Sequence, residues 1–110
     1  MDFEKYLRSF SKISGVKAIN IIHDINNPEI YSRKENDLVM EGAINNLIEA
    51  LQEKVLNLSV NSFKLETLET IVLCIVESNS ALLFVLEKET DLAELKPHID
   101  EFLNDLLISM

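Results

Sequence analysis

The feature that most constrains this chain is a predicted helix over residues 37–55 with an unusually wide apolar face. At the helical period its apolar side chains cover about half of the circumference, whereas a helix on one small sheet needs a stripe of roughly a third. These apolar positions are Val39, Met40, Ala43, Ile44, Leu47, Ile48, Ala50, Leu51 and Val55. The surplus surface predicts that the helix contacts a second molecule, most simply the same helix of another copy.

The wide face could instead be buried in a thick core within one chain. A single domain of 110 residues has little interior with which to cover both flanks of a helix, so association is the favoured interpretation. We predict a dimer interface formed by side chains of this helix and of a neighbouring edge strand: Met40, Ala43, Ile44, Leu47, Leu51, Phe63 and Leu65.

The charge of the chain, −9 at neutral pH, excludes some classes of partner. Binding to nucleic acid or to an anionic membrane needs clustered Lys and Arg, which the sequence lacks. From residue 66 onward ten acidic residues stand against Lys88 and Lys96 alone. This asymmetry predicts an acidic face, which either attracts a basic partner or serves only to keep the protein in solution.

Targeting signals are also absent from the sequence as given. The start, Met1-Asp2-Phe3-Glu4, has neither the basic nor the apolar region of a secretory signal, and no apolar run approaches the roughly 20 residues of a membrane span. Cys74 is the only cysteine, so no intrachain disulfide is possible. We therefore expect a cytoplasmic protein that does not insert into membranes.

Hydrophobic spacing predicts the remaining elements. A first amphipathic helix, ended by Ser14-Gly15, precedes Val16–His23, which reads as a mid-sheet strand, and Glu29–Arg33, which reads as an antiparallel edge strand. After the wide helix, residues 70–76 and 81–86 form a central hairpin, preceded by a strand whose turn lies near residues 67–69. Pro97 implies that the last helix begins no earlier than about Ala93, or that it kinks.

The resulting order, α-β-β-α-β-β-β-α, predicts a single α+β domain over residues 1–110. Consecutive strands that pair antiparallel give one five-stranded sheet between helices. The first and last helices, with their narrow stripes, share one face of the sheet. The wide middle helix covers the other face and keeps apolar surface to spare, which makes the protein dimeric.

At this level the chain resembles the roadblock/dynein light chain family, a branch of the profilin-like folds. The matching parts are the helix closed by Ile13-Ser14-Gly15-Val16, the strand Lys17-Ala18-Ile19-Asn20-Ile21-Ile22, the long helix after a short second strand, and the final hairpin and helix. The resemblance implies dimers built from the middle helix and an edge strand. It also implies a non-catalytic adaptor or scaffold subunit that binds a Ras-like small GTPase.

Catalytic and ligand-binding motifs do not emerge from the sequence. His23-Asp24 are adjacent on a strand and point to opposite faces, so they do not form an acid/base pair. Cys74 lies in a strand of the buried type without a base, and the acidic residues 87–94 lack a calcium-loop pattern. We predict no enzyme, no catalytic residue, no cofactor and no metal.

Two other classes of function stay open at this stage. A small-ligand sensor domain on a similar plan would need an apolar pocket with a few convergent polar groups. A structural subunit of a larger assembly would need a heteromeric partner for its solubility.

Overall fold

The computed structural model contains, among the residues that it describes, the helices and strands that the sequence predicts. It describes residues 2–33, 38–54, 62–77 and 79–108, and within the central helix the side chains of residues 42, 44–50, 52 and 53. The elements are α1 (Phe3–Ser11), β1 (Val16–His23), β2 (Glu29–Arg33), α2 (Leu38–Lys54), β3 (Ser62–Glu66), β4 (Thr70–Glu77), β5 (Ser80–Glu87) and α3 (Leu92–Ile108). The α+β class and the five-stranded antiparallel sheet are confirmed.

The strand order is β2-β1-β5-β4-β3, with every neighbouring pair antiparallel. The mid-sheet position of β1 is confirmed, but the expectation that consecutive strands pair is wrong for β2 and β3, which lie at opposite edges. The reason is that β1 and β5 are apolar on both faces and almost wholly buried. Strands of this kind need a neighbour on each side and a helix on each face.

Two apolar cores lie on the two faces of the sheet, as predicted. Helices α1 and α3 pack on one face, where the ring of Phe10 contacts both Phe84 of β5 and Phe102 of α3. Helix α2 covers the other face through Ile44 and Ile48. On that face they join Ile22, Ile25, Cys74, Ala81 and Leu83.

Two short segments connect the first and last helices to the sheet, one after α1 and one before α3. The sequence predicts the first of them correctly and the start of α3 only approximately. Gly15 has a φ of +92°, and a Cβ there would clash with the side chain of Thr90, so both conformation and space require glycine. Helix α3 begins one residue before the expected limit, because the carboxylate of Asp91 accepts a hydrogen bond from the Ala93 amide at 3.0 Å. Pro97 therefore lies inside the helix, on an exposed side where water can satisfy the Ala93 carbonyl.

The turns at one end of the sheet are joined to each other and to α2. Asp24 and Asn79 both adopt positive φ, of 56° and 63°, and the Asn79 side-chain amide donates to the Asp24 carboxylate at 2.8 Å. The Ile25 amide donates to the Asn79 carbonyl at 2.9 Å. The Ile25 carbonyl in turn accepts from the side chain of Gln52 at 2.8 Å. The second half of α2 is therefore fixed to this end of the sheet.

Gly42 lies in the interior of α2 and is exposed. A Cβ built at this position meets nothing within 4 Å among the described residues. None of the described helices is long and apolar enough to cross a membrane.

Candidate functional site

The β3 edge, which we define as Ser62–Glu66, is the most exposed strand of the sheet. It pairs with β4 on one side, and no described strand lies on its other side. Each of its residues is exposed, including Phe63 at 43% and Leu65 at 60%. Large apolar side chains on an open edge strand are a ready template for pairing with another chain.

The two faces of the β3 edge differ in polarity. Phe63 and Leu65 lie opposite Cys74 and Val72 of β4, which belong to the core under α2. They therefore extend the apolar face of the sheet beyond the helix. The side chains of Ser62, Lys64 and Glu66 lie on the other face, so the edge is apolar only on the side of α2.

The backbone of the β3 edge also has a defined orientation. The Thr67 amide donates to the Thr70 carbonyl at 2.9 Å and closes the hairpin, which confirms the turn expected near residues 67–69. Because successive residues of a strand point their amides to opposite sides, Phe63 and Leu65 bond to β4. The amide and carbonyl groups of Ser62, Lys64 and Glu66 consequently point outward, away from the sheet.

A cluster of ion pairs lies on the polar face of the same strand. The Glu66 carboxylate is 2.8 Å from the ammonium of Lys88 and 2.9 Å from that of Lys64. Hydrogen bonds from Lys88 and Lys64 lower the pKa of Glu66 to about 2. Lys88 also donates to the Thr67 carbonyl at 2.9 Å, which ties the β3–β4 turn to the segment after β5. Sequence reasoning missed this cluster, although the spacing of Lys64 and Glu66 places them on one face of a strand.

The residues predicted for the interface differ in how much surface they offer. On α2, Ile44 is only 3% exposed and belongs to the core of the chain, whereas Leu47 is half-buried at the margin of that core. Phe63 and Leu65 are open to solvent on the same face of the sheet. The side chains of Met40, Ala43 and Leu51 lie outside the described residues. The structure thus brings Leu47, Phe63 and Leu65 to one side of the sheet.

The side chains most often used in catalysis, His23, His98 and Cys74, have no carboxylate or second base among the neighbours described below. The His23 ring nitrogen Nδ1 lies 3.4 Å from the buried Ser80 hydroxyl, and His98 lies at the same distance from the Ser9 hydroxyl. Burial raises the pKa of the Cys74 thiol to about 12, which keeps it protonated and unreactive. Among the described residues, no group of three or more potential ligands could hold a metal ion.

One concavity, of about 220 Å³, lies where the segment after β5 passes the end of α1. Its lining is largely acidic and includes Glu87, Glu89, Asp91 and Glu94, together with Gly15. A small-ligand sensor needs an apolar pocket with a few polar groups, and this shallow acidic concavity does not have that character.

Comparison with known proteins gives a likeness of structure without a likeness of sequence. No family model matches the sequence, and no curated protein matches it. Over 99% of the chain, the structure resembles a Roadblock/LC7 domain from Streptomyces avermitilis, of which 98% is covered, with a TM-score of 0.73 and 8% identity. It also resembles MglB from Myxococcus xanthus, at a TM-score of 0.70 and 10% identity, over 96% of this chain and 94% of that one.

A third solved structure, MglC from Myxococcus xanthus, matches over the full length of both chains with a TM-score of 0.61 and 14% identity. At these identities the likeness concerns the fold. The resemblance first suggested by the order of elements is confirmed at that level: the chain has the fold of the Roadblock/LC7 domain.

Proposed function

We propose that the protein is a non-catalytic adaptor that forms homodimers and binds a Ras-like small GTPase, or serves as a scaffold subunit of a larger complex. The observation that carries the proposal is the β3 edge, an open strand whose exposed apolar side chains continue the face covered by α2. A second copy would cover this strand and the margin of α2 at once. The resemblance to the roadblock family supports the GTPase as further partner.

The proposed dimer joins α2 and the β3 edge of one copy to the same elements of the other. Leu47 of α2 lies half-buried at the margin of the core under α2, as do Val72 and Val76 of β4, and Phe63 and Leu65 lie on the same face. This surface includes the predicted residues that are described and not already buried. The outward-facing backbone groups of β3 supply hydrogen bonds that an apolar contact alone would lack.

The test of the dimer is Leu47→Asp, measured by light scattering over a wide range of concentrations. An unpaired carboxylate in the interface costs several kcal/mol, so we expect the variant to be monomeric where the wild type is dimeric. Asn46→Asp is the control, because it adds the same charge to an exposed position on the polar arc of α2. A thermal melt checks that both variants are folded. A Leu47→Asp protein that stays dimeric contradicts this interface.

The test of the partner is binding of purified Ras-like GTPases from the same genome, each loaded with GDP or GTP. We expect the wild-type protein to bind at least one of these GTPases. GTP hydrolysis is then carried out by the GTPase and not by the adaptor. If none binds in either nucleotide state, the GTPase part of the proposal is wrong and the scaffold role remains.

A further inference from the structure

The outer side of α1 carries a row of cations, which we call the α1 stripe: Lys5, Arg8 and the C-cap residue Lys12. All three are exposed, and their spacing places them on one side of the helix, opposite the buried Tyr6 and Phe10. The seven residues from the first to the last make the stripe about 10 Å long. Among the described residues, none of the three forms an ion pair with a carboxylate of its own chain.

Each described Lys or Arg outside the α1 stripe already contacts a polar group of its own chain. The ion pairs, at N–O distances from 2.8 to 4.0 Å, join Arg33 to Glu4, Lys64 and Lys88 to Glu66, and Lys96 to Asp100. Lys17 donates to the Thr70 hydroxyl at 3.1 Å. The described cations without a carboxylate partner are thus concentrated on the outer side of α1.

Helices α1 and α3 lie side by side and run antiparallel. Tyr6 of α1 donates a hydrogen bond to Asp105, and the Ser9 hydroxyl lies 3.4 Å from Nδ1 of His98. Positions that rise along α1 therefore correspond to positions that fall along α3. Arg8, between Tyr6 and Ser9, is level with the middle of residues 98–105, and the end of α1 is level with the start of α3.

Carboxylates on α3 form an acidic row beside the α1 stripe. Glu94 and Glu101 are exposed and lie seven residues apart, the same spacing as Lys5 and Lys12. Glu101 is thus level with Arg8, and Glu94 lies toward the level of Lys12. The neighbouring side chains of Pro97 and Asn104 are exposed and uncharged, so they leave room for a close approach. The outer face of the two helices therefore has a basic half and an acidic half.

This division into two halves restricts which partner fits the face. An extended anionic surface, such as a membrane or a nucleic-acid duplex, would meet the carboxylates of α3 together with the α1 stripe. A fitting partner carries an acidic row for α1 and, beside it, a basic row for α3, each about 10 Å long. A second copy of the same face carries both rows at that spacing.

Symmetry decides how two copies of this face can meet. A two-fold axis that lies in the interface and runs parallel to the helices places each α1 over the partner's α3 and keeps every residue at its own level. Arg8 then meets the partner's Glu101, and Lys12 lies toward the partner's Glu94. An axis across the helices would place α1 over the partner's α1, with cation against cation. The charges favour the first arrangement.

The net charge of the chain sharpens this choice of orientation. At −9, two copies repel each other in most orientations. Attraction between unlike charges in contact outweighs this repulsion only where cations meet carboxylates. Exposed ion pairs are individually weak, and the two-fold axis helps because it doubles every pair in the interface.

We propose that two copies of the chain associate through the outer faces of α1 and α3, with Arg8 and Lys12 of each copy pairing with the partner's Glu101 and Glu94. These helices lie on the opposite side of the sheet from α2. The contact is therefore separate from the homodimer interface proposed above, and the two can coexist. Together they join dimers into larger assemblies, as a scaffold subunit requires.

The test is a charge swap between two full-length variants, measured by light scattering and sedimentation velocity at high protein concentration. Lys5→Glu/Arg8→Glu/Lys12→Glu makes the outer face acidic and lowers the net charge from −9 to −15. Glu94→Lys/Glu101→Lys makes it basic and raises the net charge to −5. Circular dichroism checks that both variants are folded, which the exposure of all five positions favours.

We expect the dissociation constant of the larger assembly to rise at least tenfold in each variant alone and to recover in the equimolar mixture. In the mixture each acidic row lies over a basic one, although both variants remain negatively charged and repel by net charge. Lys17→Glu is the control for Arg8→Glu alone, because it reverses one exposed charge on β1 instead of α1. A mixture that associates no better than either variant alone refutes the pairing.

The salt concentration separates this contact from the homodimer. At about 1 M salt the Debye length is about 3 Å, against about 10 Å at 0.1 M, so exposed ion pairs are screened and an apolar dimer persists. We expect the larger assembly at 0.1 M salt and the homodimer alone at 1 M. A wild type that stays a dimer at both concentrations refutes the contact between outer faces and leaves the homodimer. A monomer at 1 M salt with a dimer at 0.1 M refutes the homodimer instead.

Discussion

Truncation of Leu65 offers the most direct measure of the energy in the β3 edge. The change Leu65→Ala removes three carbon atoms, worth about 2.4 kcal/mol if fully transferred from water at about 0.8 kcal/mol each. Since Leu65 is 60% exposed in the single chain, about 1.4 kcal/mol of this is available on dimerisation. Two copies take part, so the dimer should lose about 3 kcal/mol, and its dissociation constant should rise about a hundredfold.

The measurement is sedimentation equilibrium of wild-type and variant proteins over a dilution series, with circular dichroism as a check on folding. Leu68→Ala is the matched control, because Leu68 is 97% exposed in the adjacent turn and lies outside the paired strand. It should leave the dissociation constant unchanged. The reasoning is refuted if the two variants dimerise equally well, since the side chain of Leu65 would then stay in water.

Two further predictions concern the stability of the single chain. Gly42→Ala should raise the free energy of unfolding in urea by about 1 kcal/mol, because Gly42 is exposed inside a helix with open space around it; a loss would mean that another molecule approaches there. Glu66 has a folded-state pKa lowered to about 2 from 4.5, so its contribution is present above pH 4.5 and lost as the pH falls through about 2. The difference in Tm between wild type and Glu66→Gln should therefore shrink over that range, and a difference independent of pH would contradict the ion-pair cluster.

The local structure could be predicted well from the sequence because each element has its own pattern. The unbroken apolar run of β1 predicted a strand covered on both faces, and its bounds agree with the structure. The positive φ of Gly15 and the turn near residues 67–69 followed from residue type and spacing. The division of the helices between the two faces followed from the width of their apolar stripes.

The relations between distant elements could not be predicted in the same way. That β1 pairs with β5 depends on which strands compete for the centre of the sheet, and a local pattern does not rank them. The contact of Lys88 with Glu66 joins residues 22 apart across β4, which lies between β3 and β5. For α3, the proline signal was outweighed by the capping carboxylate of Asp91, which fixes the first residue of the helix. The surplus apolar face was predicted from α2, whereas the exposed apolar pair that continues this face, Phe63 and Leu65, lies on β3.

The strand order also determines when the chain can fold. Strand β1 reaches its neighbour β5 only across 59 to 70 residues, and Tyr6 of α1 donates a hydrogen bond to Asp105 of α3, 99 residues away. Such distant pairings require large loops to close before they return any stabilisation, which slows folding. During synthesis β1 emerges with both apolar faces uncovered, and they stay uncovered until β5 and the last helix have been made. The long-range pairing that unites the sheet therefore leaves β1 exposed to other chains in the cell until β5 has been made.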